Sequence, residues 1–221
     1  MATATAPLQR NPWMRSKYLL FAFIGLMVAY VLQHNESFLV HPNDPAWQHY
    51  HPFRWWLLPH GLAGVCTIFL GPMQFSDRLR RRFTKLHRVV GRIYIAGVFI
   101  VAPLGTYIQY FEERMGEPRS FSVAAAADAV LLMITTGIAL AFILQGKVQQ
   151  HRQWMTRSFA VALVFVEVRV VAGVTGWEKL GTAALESIVW SCLAFSILSA
   201  DIVLQWQESR RLSPKRAMVA A

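Results

Sequence analysis

Three of the seven histidines, His60, His87 and His151, stand inside or at the edge of apolar stretches, and they are the side chains best placed to do chemistry. His87 falls in F-T-K-L-H-R-V-V-G-R-I-Y-I-A-G (Phe83 to Gly97), at the point where the chain changes from basic to apolar. Both His60 and His87 are followed four residues later by glycine, as H-G-L-A-G with Gly64 and as H-R-V-V-G with Gly91. On a helix that spacing puts the glycine on the histidine's own face. It removes the side chain beside the imidazole, so a flat macrocycle could lie against the backbone there, and histidine is an ordinary axial ligand of haem iron. The same spacing also suits close approach of two membrane helices, which small residues permit.

Depth along the chain sorts the polar residues into two layers. Gln74, His87, Arg92, His151, Trp154, Arg157 and Asp201 fall in a layer expected on the cytoplasmic side. His60, Asp128, Glu167, Arg169 and Glu186 fall in a layer expected toward the outside. One iron cannot join His60 to His87 across that distance. His87 and His151 share a level, each at the start of an apolar run, and form the plausible bis-histidine pair for a haem b. Arg88, Arg92, Arg152 and Arg157 surround that level and could neutralise haem propionates, a quinone oxygen or a lipid phosphate, with Gln74 adding a hydrogen bond.

The outer layer raises a question of pairing. His151 and Arg169 are 18 residues apart, which on an unbroken helix is five whole turns and about 27 Å along one face. Asp128 lies at a depth similar to that of Arg169, and an ion pair between them is expected because an unpaired arginine inside a membrane is costly. His34, His41, His49 and His51 lie in an irregular segment without helix-like metal spacing and read as surface residues. Cys66 and Cys192 sit singly in apolar runs and imply neither a disulfide framework nor a zinc site.

The elements that must position these groups are apolar and long. Hydrophobic residues make up 55% of the 221, charged ones only 15%, and the mean hydropathy is +0.35. A water-soluble domain would need more charge to cover its surface, so an integral membrane protein is expected. Six runs have suitable length, namely Tyr18 to Leu32, Trp55 to Phe75, Val89 to Tyr110, Ser122 to Leu144, Phe159 to Trp177 and Ala184 to Trp206. The expected fold is therefore an all-α bundle of six transmembrane helices at residues 18–207. Residues 1–17 form a cytoplasmic segment and 208–221 a basic cytoplasmic tail. The first run resembles a signal peptide, but no small-residue cleavage site follows it, so it reads as a retained span.

The net charge of +10 does not imply a nucleic-acid partner, because the basic residues flank apolar runs and line no polar domain. The partner they imply is the lipid bilayer. Arg78, Arg80, Arg81, Arg82 and Lys85 cluster between the second and third runs; Lys147, Arg152 and Arg157 precede the fifth, and Arg210, Arg211, Lys215 and Arg216 follow the sixth. The opposite side has only Arg54, Arg114, Arg119 and Lys179, so both termini are expected in the cytoplasm.

Four motifs carry a family resemblance: P-H-G-x-x-G at Pro59 to Gly64, G-P-M-Q-F at Gly71 to Phe75, L-H-R-V-V-G-R-I-Y at Leu86 to Tyr94 and H-R-Q-W-M-T-R-S at His151 to Ser158. Together they resemble a bacterial family of predicted membrane proteins called domain of unknown function 2306, over roughly Trp55 to Arg169. The resemblance implies a helical protein of the bacterial cytoplasmic membrane and no particular activity. H-R-V-V-G also resembles, more distantly, the histidine-glycine motifs of two-haem b-type cytochromes. Those proteins carry two histidines on each ligating helix and no span here has two, so the likeness extends to one haem on the cytoplasmic side.

Three functions are consistent with these residues. The first is a redox protein with a haem b on His87 and His151 exchanging electrons with quinol or a membrane redox partner. The second is an accessory or assembly subunit without cofactor, and the third a small proton-coupled transporter using Asp128, Glu167 and Arg169. No hydrolase, kinase or metalloprotease motif is present.

Overall fold

The computed structural model describes residues 12–35, 41 and 43–219, with side chains described over 18–35, 41, 43–177 and 179–209. The first 11 residues of the expected amino-terminal segment, and the tail side chains from Arg210 onward, lie outside the described residues. Among the described residues all regular structure is helical, with no strand. The helices are α1 (Pro12–His34), α2 (Ala46–Tyr50), α3 (Arg54–Gln74), α4 (Asp77–Arg82) and α5 (Thr84–Arg114). They continue with α6 (Arg119–Leu144), α7 (Val148–Ala162), α8 (Val164–Thr175) and α9 (Thr182–Val219). Single 3₁₀ turns at His51–Phe53 and Trp177–Leu180 lead into α3 and out of α8. The proline-containing segment expected to be an irregular cap thus holds a short helix as well.

Five helical stretches are long and apolar enough to cross a membrane: Ala46–Gln74, Thr84–Arg114, Arg119–Leu144, Val148–Thr175 and Thr182–Ser209. The apolar part of α1, Tyr18–His34, is shorter. Large apolar side chains such as Leu62 (68% exposed), Phe195 (64%) and Leu198 (62%) cover the outside of the bundle. In water such a surface would drive aggregation, whereas in lipid it costs nothing.

Sharp turns reverse the chain between spans. After α6, the Lys147 amide donates to the Phe142 carbonyl and the Gly146 amide to Ile143, with Gly146 left-handed at φ 73°. This 6→1 and 5→2 pair is the Schellman arrangement, which satisfies the last helical carbonyls and aims α7 back along α6. Glu117 and Gly116 close α5 on Glu112 and Glu113 in the same way.

α3 and α5 pack closely and run in opposite directions. Ala63, Thr67 and Gly71, four residues apart, make the buried edge of α3. A Cβ at Gly97 of α5 would stand 2.8 Å from Thr67 Oγ1 and 3.1 Å from the Ala63 carbonyl oxygen, so only glycine allows the contact. α5 then packs on α6, α6 on α7, and α9 lies against α6, α7 and α8, while α1 touches α8. The centre of the bundle holds Tyr94, Val98, Ala124, Ala139, Val161 and Val189.

The fifth apolar run is not one regular helix. It is interrupted at Leu163, whose amide donates to Ala160, three residues back, with φ −83° and ψ −12°. The five unbroken turns expected between His151 and Arg169 are therefore not present, and α8 sets its own register.

Candidate functional site

The end of α3, the starts of α5 and α7 and a late turn of α9 supply the polar residues at one end of the bundle. His151 lies in the first turn of α7 and is half-buried. Its Nδ1 is 2.8 Å from the Ala139 carbonyl of α6. A carbonyl only accepts, so Nδ1 carries the proton and donates, which leaves the Nε2 lone pair free for a ligand.

His87, in the first turn of α5, is also half-buried and within electrostatic reach of His151, Arg80 and Arg88. Its Nδ1 is buried with no hydrogen-bond partner. Gln74 Nε2, at the end of α3, is likewise buried without a partner. Gln74 reaches α5 beside Gly91, where a Cβ would sit 3.1 Å from its Oε1. The notch at Gly91 is thus filled by an amide and is not an open slot. A buried polar atom without a partner is unusual in a folded protein, since it leaves a desolvation cost uncompensated.

One level deeper, the Tyr94 hydroxyl of α5 lies 2.8 Å from Ser158 Oγ of α7, and Ser158 Oγ is 2.7 Å from Thr136 Oγ1 of α6. Thr136 in turn is 2.7 Å from the Leu132 carbonyl, to which it donates. All three hydroxyl residues are completely buried. The same offset of 64 residues separates Tyr94 from Ser158 and His87 from His151. The hydroxyl contact therefore sets α5 and α7 parallel and in register, and two turns along each helix that register places the histidines at a common level. Sequence reasoning singled out none of these hydroxyls. The available signal was position, because Tyr94 closes the motif that His87 opens and Ser158 closes the one that His151 begins.

The arginines divide. Arg157 bonds Asp201 of α9 at 2.7 Å and lies 4.9 Å from the Trp154 ring centre, so it ties α7 to α9 at this end. Arg92 is exposed. Five residues past His87, it projects roughly 140° around the helix from the imidazole and is not brought to the site.

The second layer is built differently. His60 Nδ1 donates to the Val101 carbonyl at 3.0 Å, and its ring lies where a Cβ at Gly105 would be 2.9 Å from Cε1. Arg169 is exposed on α8 and its charge acts at His60. The expected Asp128–Arg169 ion pair is not formed. Asp128 Oδ1 is buried without a partner, and the charged group within its reach is Glu167. Glu167 accepts a hydrogen bond from Ser196 Oγ of α9 at 2.9 Å. Among the described residues, no three His, Cys, Asp or Glu side chains cluster to hold a metal ion.

Fold and site together define an all-helical, multi-pass membrane protein with a histidine and hydroxyl site among its helices. The family model of the predicted membrane proteins DUF2306 matches residues 57–204, and the chain belongs to that family. The match takes in both polar layers from His60 to Asp201. No curated protein and no solved structure matches the chain.

Proposed function

We propose that this chain is a six-span protein of the bacterial cytoplasmic membrane, with both termini in the cytoplasm, that holds a haem b between His87 and His151 and exchanges electrons with quinol. The His151 imidazole carries the proposal: its Nδ1–H is fixed on the Ala139 carbonyl, so Nε2 faces a ligand in a set orientation. His87 supplies the second axial nitrogen from a parallel helix in matching register. The haem, when bound, supplies one-electron chemistry. The protein's own part is to hold the two rings at one level and to exclude water through the Tyr94, Ser158 and Thr136 layer. Gln74 Nε2 is a donor for a propionate or for a quinone oxygen. The six spans and their orientation rest on the excess of basic residues at the His87 end, with α1 as the first span.

Protein purified in detergent from haem-replete cells should show a Soret band that shifts on dithionite reduction and is absent in His87→Ala and in His151→Ala. A colourless preparation refutes the haem. Maleimide labelling of Lys147→Cys and Glu117→Cys from opposite sides of intact vesicles checks the orientation.

The filled notch at Gly91 supports a second reading, an accessory subunit without cofactor whose histidines and arginines hold lipid head groups or a partner helix. Copurification of a colourless protein with a larger complex favours it.

A further inference from the structure

The corner where α4 meets α5 carries charge that the histidine pair does not use. Residues 77–92 contain seven Arg and Lys and a single acid, Asp77. Asp77 is engaged by Arg80, and Asp201 of α9 by Arg157. Residues 1–17 and 210–221 contain no Asp or Glu. The protein itself therefore offers little counter-charge at this corner.

On α5, Lys85, Arg88 and Arg92 are exposed, and no ion pair among the described residues involves them. At about 100° per residue they fall within about 60° of one another. Leu86, Val89 and Ile93 occupy the adjoining strip of the same helix, each 42–49% exposed. His87, Val90 and Tyr94 are on the other side, toward the bundle. α5 thus presents a basic strip and an apolar strip side by side. Beside them the Arg82 guanidinium stands 5.8 Å from the ring centre of exposed Phe83. Thr84 Oγ1 donates to the Arg80 carbonyl at 3.2 Å, which ties the end of α4 to the start of α5.

The two strips together select the partner. Arg92 is about 12 Å along α5 from Thr84, in the same turns as Val89 and Ile93. In a membrane those apolar side chains meet acyl chains, and a guanidinium among them is costly unless an anion meets it there. A soluble anion has no apolar part to cover Val89 and Ile93. A phospholipid brings both, its phosphate to the arginines and its chains to the apolar strip. Three cations in one strip favour a head group of net negative charge over a zwitterionic one.

We infer that the α4–α5 corner is a binding site for an anionic phospholipid, with Arg88 and Arg92 on its phosphate. The site faces away from the histidine pair and holds with or without haem.

Native mass spectrometry of the full-length protein purified in detergent, titrated with phosphatidylglycerol or with phosphatidylcholine, tests this. Wild type should retain phosphatidylglycerol at lower concentration than phosphatidylcholine. Arg88→Gln and Arg92→Gln should each weaken phosphatidylglycerol binding about fivefold and leave phosphatidylcholine binding unchanged. Lys147→Gln, in the turn between α6 and α7, should alter neither. Equal retention of the two lipids, or full retention of phosphatidylglycerol by both arginine variants, overturns the inference. An equal loss in Lys147→Gln also overturns it, since the attraction would then belong to basic charge in general. So does displacement of phosphatidylglycerol by inorganic phosphate, which would make the ligand a soluble anion.

Discussion

The two polar layers solve the burial of ionisable groups in opposite ways. At the His87 end most polar groups are tied to a neighbouring helix by a named bond: His151 to Ala139, Arg157 to Asp201, Tyr94 to Ser158. What is left over there are two nitrogens, His87 Nδ1 and Gln74 Nε2. In the Asp128 layer the leftover is a carboxylate oxygen, Asp128 Oδ1. Each leaves a desolvation cost uncompensated, on nitrogens at one level and on an acceptor oxygen at the other.

Substitutions can break this contrast in graded steps. The largest effect should come from His87→Ala or His151→Ala, each removing the Soret absorbance entirely. Gly97→Leu should follow, since its Cβ would press on the α3 backbone at Ala63. Overpacking of this kind costs about 1–3 kcal/mol and should be visible as a lower melting temperature in detergent.

Ser158→Ala leaves the buried Tyr94 hydroxyl without its partner and should cost about 1–3 kcal/mol by thermal denaturation. Adding Tyr94→Phe should recover part of that loss, because the orphaned hydroxyl is then gone; strict additivity of the two would remove the hydroxyl layer from the argument. Arg157→Ala breaks a partly exposed pair, 27% and 40% exposed at its two side chains, so the effect should stay below about 1 kcal/mol. Arg92→Ala, on the far side of α5, should leave the Soret spectrum unaltered. A changed Soret maximum in that variant would put Arg92 back at the site.

Much of the scaffold was legible because it depends on composition and local spacing. The apolar runs and the basic residues beside them each act within a few residues of chain. That His87 and His151 each start a helix was legible in the same way, from the apolar run that follows. The helix interruption at Leu163 was not, since no proline or glycine marks it. The expected Asp128–Arg169 pair rested on similar depth, and depth alone does not say which way a helix face turns. Gly91 was read as room for a ring, but an open helical face says nothing about which neighbour will fill it, and Gln74 does.

By itself, then, the sequence determined an all-helical, multi-pass membrane protein, because hydrophobic runs are properties of the local chain. Only the tertiary structure decided which polar atoms meet: Ser158 with Tyr94 and Thr136, His151 with Ala139, and Glu167 with Ser196. Those meetings depend on how helices rotate about their own axes. That rotation is set by packing across the bundle, at Gly97 on Ala63 and at the interruption in the fifth apolar run, where residues far apart in the chain must fit together.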